Sequence, residues 1–414
     1  MVDQVFSSGT NLGLVVLGGR LLGPARLGVI SVGFAAYVLI LVLHRALVPE
    51  PLIVAGASRG EPSLRAMSER GIFASLLVGA AAAAIMGILG FLVGGSFGRG
   101  LWLFAPWIVP ALVQDFWRFL LFRDGRGSSA AANDAVWVLG MALSTLVAVR
   151  FRSDWLVVSA WGVGALCGAA LGFFQMRLGL RRPGLAWRWW RSEAWPLGRW
   201  LGVDRVVATA GSQGAILLIA GLVGASEVGG LRAVQSVFAP LSLLGPAIGL
   251  PGLPALSSAL HSSPARARWL AARLSGALVG MAFVYLLVIG AFRGQLLSTI
   301  FGPAFRAYRD LIYPIAAAQL LVAVGIGFVL LLKAAQRGRS LVMNDVAGAS
   351  AVLLAVWLMT EANGVQGAAW GLAAGAGFTS ALMVLSGTLL SATSAQTPAS
   401  SEPTAARHSG HESI

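Results

Sequence analysis

The chain runs to 414 residues, of which 57% are hydrophobic and only 11% charged, and its mean hydropathy is +0.80. Soluble domains carry about a quarter charged residues, so the composition excludes a soluble enzyme or binding module and indicates an integral membrane protein. The net charge of +14 would suggest a nucleic-acid partner in a soluble protein. Here the basic residues lie in short loops between apolar runs, as topology signals do, and no nucleic acid is expected.

Taken in chain order, twelve apolar runs read as spans: 4–20, 27–47, 71–94, 100–121, 133–150, 155–175, 202–222, 230–252, 268–292, 309–332, 341–360 and 366–390. Each is about the length that crosses roughly 30 Å of hydrocarbon as a helix, and period-2 alternation is absent, which argues against a β-barrel. The start, "MVDQVFSSGTNLGLVVLGG", has no basic stretch before its apolar run, so it reads as a retained first helix rather than a cleaved signal. Residues 391–414 are rich in Ser, Ala and Thr and read as a disordered tail.

Of the thirty basic residues, all but Lys333 are arginine. With the N-terminus inside, the inner loops hold most of them, and the positive-inside rule places both termini in the cytoplasm. The longest inner loop, "RRPGLAWRWWRSEAWPLGRW" at 181–200, interleaves Arg and Trp. Trp favours the headgroup layer and Arg favours lipid phosphate, so this segment reads as an interfacial linker helix. The organisation expected is a six-helix bundle over 1–180, the linker over 181–201, a second six-helix bundle over 202–390, and the tail over 391–414.

The two halves repeat. At an offset of 201, "VDQVFSSGTNLGLVVLGGRLLGPARLG" lies ungapped over "VDRVVATAGSQGAILLIAGLVGASEVG". Asp3, Gly23 and Gly28 recur as Asp204, Gly224 and Gly229. Six spans per half give both repeats one orientation, with a pseudo-twofold axis along the membrane normal. That is a transporter architecture, with the substrate site between the halves.

Chemistry in the usual enzymatic sense is not in evidence. Cys167 is the single cysteine, and His44, His261, His408 and His411 have no metal-ligand spacing. No Ser-His-Asp set or carboxylate pair sits in a long loop, so no catalytic residue, metal or cofactor is expected.

Several stretches resemble one family. The opening carries Asp3-Gln4, Ser7-Ser8-Gly9-Thr10-Asn11, Arg20-Leu21-Leu22-Gly23-Pro24, Arg45-Ala46-Leu47 and Glu50-Pro51-Leu52. Further on come "PALVQDFWRFLLFRDG" at 110–125 and "GGLRAVQSVFAPLSLL" at 229–244. These resemble bacterial polysaccharide-biosynthesis flippases, the Wzx-like branch of the multidrug/oligosaccharidyl-lipid/polysaccharide (MOP) exporter superfamily. The resemblance covers residues 1–260; beyond them it rests on hydropathy. It implies an all-α, MATE/MOP-like membrane fold of two bundles. It also implies transfer of a polyprenyl-diphosphate-linked glycan across the bacterial plasma membrane, with polysaccharide polymerases and glycosyltransferases as partners to look for.

Charged residues inside spans are expensive and mark wet cavities or partners. Arg45 stands near the inner end of the second span, followed by Pro49 and Pro51; it is either a snorkelling anchor or a ligand-holding residue. Asp115 and Arg118, spaced i, i+3, share a face of the fourth span with Gln114 nearby, and are either a satisfied structural pair or part of the site. Arg45 and Arg118 fall at similar depth, which suits a diphosphate: arginine presents a planar fork of donors and stays charged in the membrane. Arg232 is a further intramembrane cation and a candidate for the same ligand. Asp3 and Asp204 open the first spans of the two halves, as helix caps or as ion-coupling groups. The alternatives are a cation-coupled drug exporter of the same fold, which calls for unpaired acids in the cavity, and a membrane polysaccharide ligase or polymerase, which calls for catalytic groups in a sizeable loop.

Overall fold

A computed structural model describes residues 2–56, 61–177, 183–242 and 244–389. The tail at 391–414, assigned above to disorder, lies outside the described residues, as do the side chains of Asp3 and Asp204. Among the described residues nine helical stretches are long and apolar enough to cross a membrane. Two of them, Gly9–Val54 with 46 residues and Gly338–Thr388 with 51, would measure about 70 Å or more if straight, at roughly 1.5 Å per residue. Each is two spans folded at a sharp turn. The first turns at Gly23 (φ 79°, ψ 179°), so Leu14 and Ile30 meet in one cluster. The second turns at Asn363 and Gly364, so Val352 packs beside Gly375 and Val356 beside Gly371.

Among the described residues twelve segments result, labelled here α1 (2–22), α2 (24–56), α3 (61–93), α4 (95–123), α5 (127–151), α6 (154–176), α7 (195–223), α8 (225–242 and 244–262), α9 (264–291), α10 (312–334), α11 (338–362) and α12 (365–388). The protein is thus a multi-pass membrane protein of two six-helix bundles. Three local expectations need correction. The span placed at 230–252 is longer: α8 is interrupted at Phe238, and helical stretches follow at Ala239–Ser242 and Leu244–Ser262, although Pro251 and Pro254 sit inside the second. The linker placed at 181–201 is not separate from the span placed at 202–222: Pro183–Trp189 and a π-turn at Trp190–Ala194 pass directly into α7, which begins at Trp195. Asp204 therefore lies ten positions into a helix beginning at Trp195, not at a helix N-terminus, and the cap reading fails there on backbone placement.

The first bundle is built around aromatics. Trp161 meets Tyr37 at 5.0 Å, Phe104 at 5.5 Å and Trp137 at 5.5 Å between ring centroids. Such pairs add about 0.5–1.5 kcal/mol each beyond their buried area. The buried indole N–H of Trp137 donates to the Trp161 carbonyl and that of Trp117 to the Ala169 carbonyl, both at 3.1 Å, which removes the cost of burying them unpaired. The second bundle buries mainly aliphatic side chains, with Ile216, Ile219, Leu231, Val234 and Val356 at its centre.

Away from the linker, the bundles meet at a seam whose geometry repeats the internal duplication. Gly23 and Gly224 have nearly the same left-handed backbone (φ 79° and 87°, ψ 179° and 172°), a conformation open mainly to glycine. Five residues on, α2 and α8 cross so closely that a β-carbon on Gly28 would overlap the carbonyl oxygen of Ala225. A β-carbon on Gly229 would in turn overlap that of Pro24. Each contact is the other shifted by 201 positions, so the pseudo-twofold axis passes between these glycines. Arg20 of α1 closes the same end by donating to the carbonyls of Thr299 and Ile300.

Candidate functional site

Two polar sites lie within this frame. The first is a chain of alternating charges in the linker-side half of the first bundle. Helix α2 breaks at Val48, between Leu47 and the helical stretch Pro49–Gly56. Pro49 and Pro51 lack the N–H groups that would bond back across the break. Arg45 stands one turn before the break. Its Nε donates to Asp115 Oδ2 at 2.9 Å and its Nη2 to Asp115 Oδ1 at 2.5 Å, the two-pronged geometry that guanidinium groups make with carboxylates and phosphates. The Arg45 side chain is 32% exposed while that of Asp115 is 5% exposed, and its guanidinium lies 5.5 Å from the Phe119 ring centre.

Arg118, one turn along α4, continues the chain. Its Nη1 stands 3.9 Å from Asp115 Oδ1 and its Nε 3.3 Å from Asp134 Oδ2. Gln114 donates to Asp134 Oδ1 at 2.8 Å and to Asn133 Oδ1 at 3.1 Å. Asn133 donates onward to the Gly168 carbonyl at 2.8 Å and to Gln175 Oε1 at 3.0 Å. The order Arg45, Asp115, Arg118, Asp134 alternates sign and is neutral as a whole. In a low-dielectric bundle an unpaired charge is far costlier than a paired one, so this order offsets the cost of burying four ionisable groups together. Arg118 is enclosed between two carboxylates. Arg45 is the open end: its Nη1 makes no hydrogen bond among the described residues.

The sequence reading brought Arg45, Arg118, Asp115 and Gln114 to one place, and the structure joins them. It missed Asp134, Asn133 and Gln175, which arrive from α5 and α6. It also missed buried His44, whose Nε2 lies 3.0 Å from Ser75 Oγ.

The second site centres on Arg232 of α8 and is separate from the first. A cavity of about 740 Å³ opens in the second bundle, and its wall includes Arg232, Gln213, Gln235, Gln319, Asp345 and Ser380. The half-buried Arg232 guanidinium lies 5.6 Å from the ring centre of Phe34, on α2 of the other bundle, close enough for a cation–π contact. Among the described residues its one hydrogen bond is a long one to Gln235 Oε1 at 3.4 Å. Among the described residues it has no ion pair. Arg205 differs: its Nη2 reaches Glu50 Oε1 at 3.2 Å, tying α7 to the end of α2. That pair is half-exposed at the arginine, so Glu50→Gln should cost less than about 1 kcal/mol of stability, measured by thermal unfolding in detergent.

No family model and no curated protein matches the sequence. Solved structures do match the fold. One is an inward-facing multidrug resistance MATE family transporter of the MOP superfamily, at TM-score 0.69 and 12% identity, covering 93% of this chain and 94% of that one. Another is the lipid II flippase MurJ in an inward closed conformation, at TM-score 0.69 and 10% identity over 95% and 88%. A third is a MOP superfamily transporter from Pyrococcus furiosus, described as having a binding pocket of reverse polarity, at TM-score 0.63 and 11% identity over 94% and 92%. The chain has the fold of the MOP superfamily transporters.

Proposed function

We propose that the protein is a flippase that carries a polyprenyl-diphosphate-linked oligosaccharide from the linker-side leaflet to the opposite one by alternating access of its two bundles, for polysaccharide assembly. The observation that carries this reading is Arg232: a half-buried cation without a carboxylate partner among the described residues, on the wall of a 740 Å³ cavity and against the other bundle. A fixed cation held at membrane depth without a counter-ion is stabilised by an anionic ligand. Arg45, with one nitrogen turned out of its carboxylate pair, offers that ligand a first contact nearer the linker. A diphosphate provides two charges and several acceptors for such forks, while the amide groups of Gln213, Gln235 and Gln319 suit sugar hydroxyls. With the linker side cytoplasmic, an inside-negative potential favours outward movement of each negative charge by roughly 2.3 kcal/mol per 100 mV.

The test is flux in liposomes with defined lipid-linked sugars. Arg232→Gln should lower flux at least tenfold at unchanged protein level and unfolding temperature. The competing reading is an exporter of organic cations, because an acidic residue, Asp345, also lines this cavity. Extrusion of such cations, without movement of any lipid-linked sugar, would establish that reading instead. Sidedness is checked separately: a cysteine at exposed Ser192, on a Cys167→Ala background, should stay unreactive to an impermeant external reagent in intact cells.

A further inference from the structure

A third feature lies on the flank of the first bundle, apart from both polar sites. Arg70 sits near the linker-side end of α3, half-buried, and makes no hydrogen bond or ion pair among the described residues. Positions 73, 74, 77, 78 and 81 continue its face of the helix at helical spacing. Against that face the linker lays Ala186, Trp187 and Trp190, and with Phe73, Leu77 and Ala81 they bound a groove of about 190 Å³ with no polar lining. The Trp187 and Trp190 rings stack at 5.3 Å and 27°, with Trp187 still 49% exposed. Arg188 and Arg191 are exposed on the same linker.

An apolar trough, a tryptophan rim and, one turn before the trough on α3, an arginine with no hydrogen bond or ion pair among the described residues match the parts of one ligand. We propose that the groove holds an acyl chain of an anionic glycerophospholipid from the linker-side leaflet, with the lipid phosphate on Arg70. Tryptophan favours the headgroup boundary, and arginine at that depth meets phosphate. From residue 73 to 81 the trough extends about 12 Å along α3, at roughly 1.5 Å per residue. That suits part of an acyl chain and is too short to shelter a long prenyl carrier.

The lipid would also brace the linker. Trp190 lines the groove with its ring while its indole N–H donates to the Leu47 carbonyl at 3.2 Å, two residues from Arg45. A filled groove therefore presses the linker onto the end of α2.

The experiment is native mass spectrometry of the full chain in mild detergent, supplied separately with phosphatidylglycerol, phosphatidylcholine and a prenyl phosphate. One phosphatidylglycerol should survive activation that strips phosphatidylcholine, at least fivefold better retained. Arg70→Gln should bring its retention down to the phosphatidylcholine level, and Trp187→Ala should weaken both lipids alike. An unchanged unfolding temperature identifies the variants as folded; Arg70, with no hydrogen bond or ion pair among the described residues, can be replaced without orphaning one of them. Equal retention of the two phospholipids by the natural chain, undiminished retention in Arg70→Gln, or a preference for the prenyl phosphate would each overturn the proposal.

Discussion

Gly28→Leu should lose nearly all transport while remaining folded, and Gly229→Leu should do the same. At either position even a β-carbon overlaps a backbone carbonyl of the facing helix. Backbone cannot rotate aside as a side chain can, so the two bundles must separate at this end. Overpacking a close contact costs about 1–3 kcal/mol or more, and here the strain falls on the contact between bundles rather than on either core. The expected outcome is a protein trapped open on the side away from the linker. Val228, fully buried beside the seam, reports it: on a Cys167→Ala background, Val228→Cys should resist a water-soluble maleimide and react at least tenfold faster once Gly28→Leu is added. Equal reactivity in both would mean the seam does not govern access from that side.

Arg45→Ala should have the other large effect, on two quantities at once. It strips the two-pronged partner from Asp115, which is left buried with Arg118 at 3.9 Å. Removing one member of a buried pair costs about 3–5 kcal/mol. Arg45→Ala should therefore lower the unfolding temperature, and adding Asp115→Ala should restore much of it. Flux should not return with stability. In the rescued double variant, transport of a lipid-linked sugar should stay at least tenfold below the natural level, because the fork is missing. Arg45→Lys keeps the charge but replaces the fork with a point charge, so stability should fall modestly and flux clearly. Normal flux in the double variant would reduce Arg45 to a structural partner of Asp115.

The parts of this architecture that the chain announces are those set by local rules. Span lengths follow from hydrocarbon thickness, and the recurrence of Gly23 and Gly28 at 224 and 229 marked two positions that the halves share, one a positive-φ turn and the other a crossing too close for a side chain. What those glycines do was not legible: a turn and a crossing look alike in a string until the partner carbonyl is known. The charge chain was half visible for a similar reason. Asp115 and Arg118 lie one turn apart on α4, so helical spacing pairs them. Asp134 meets Arg118 only because α5 folds back along α4, and nothing in "SSAAANDAVW" distinguishes a buried acid from a helix-start residue. Arg232 was legible as an intramembrane charge, but its neighbour Phe34 comes from the other bundle, and no periodicity reports that.

The glycine turns also shape what the protein offers to the outside of its own membrane face. Away from the linker, Gly23, Gly94–Gly95, Arg152–Ser153, Gly224 and Asn363–Gly364 each reverse the chain within a residue or two. One connection is long: the helix Arg293–Phe301 and the 3₁₀ stretch Pro303–Leu311. A protease, an antibody or a soluble protein approaching that face therefore finds one ledge to grip, and the arginines at 306 and 309 put its cleavable bonds there.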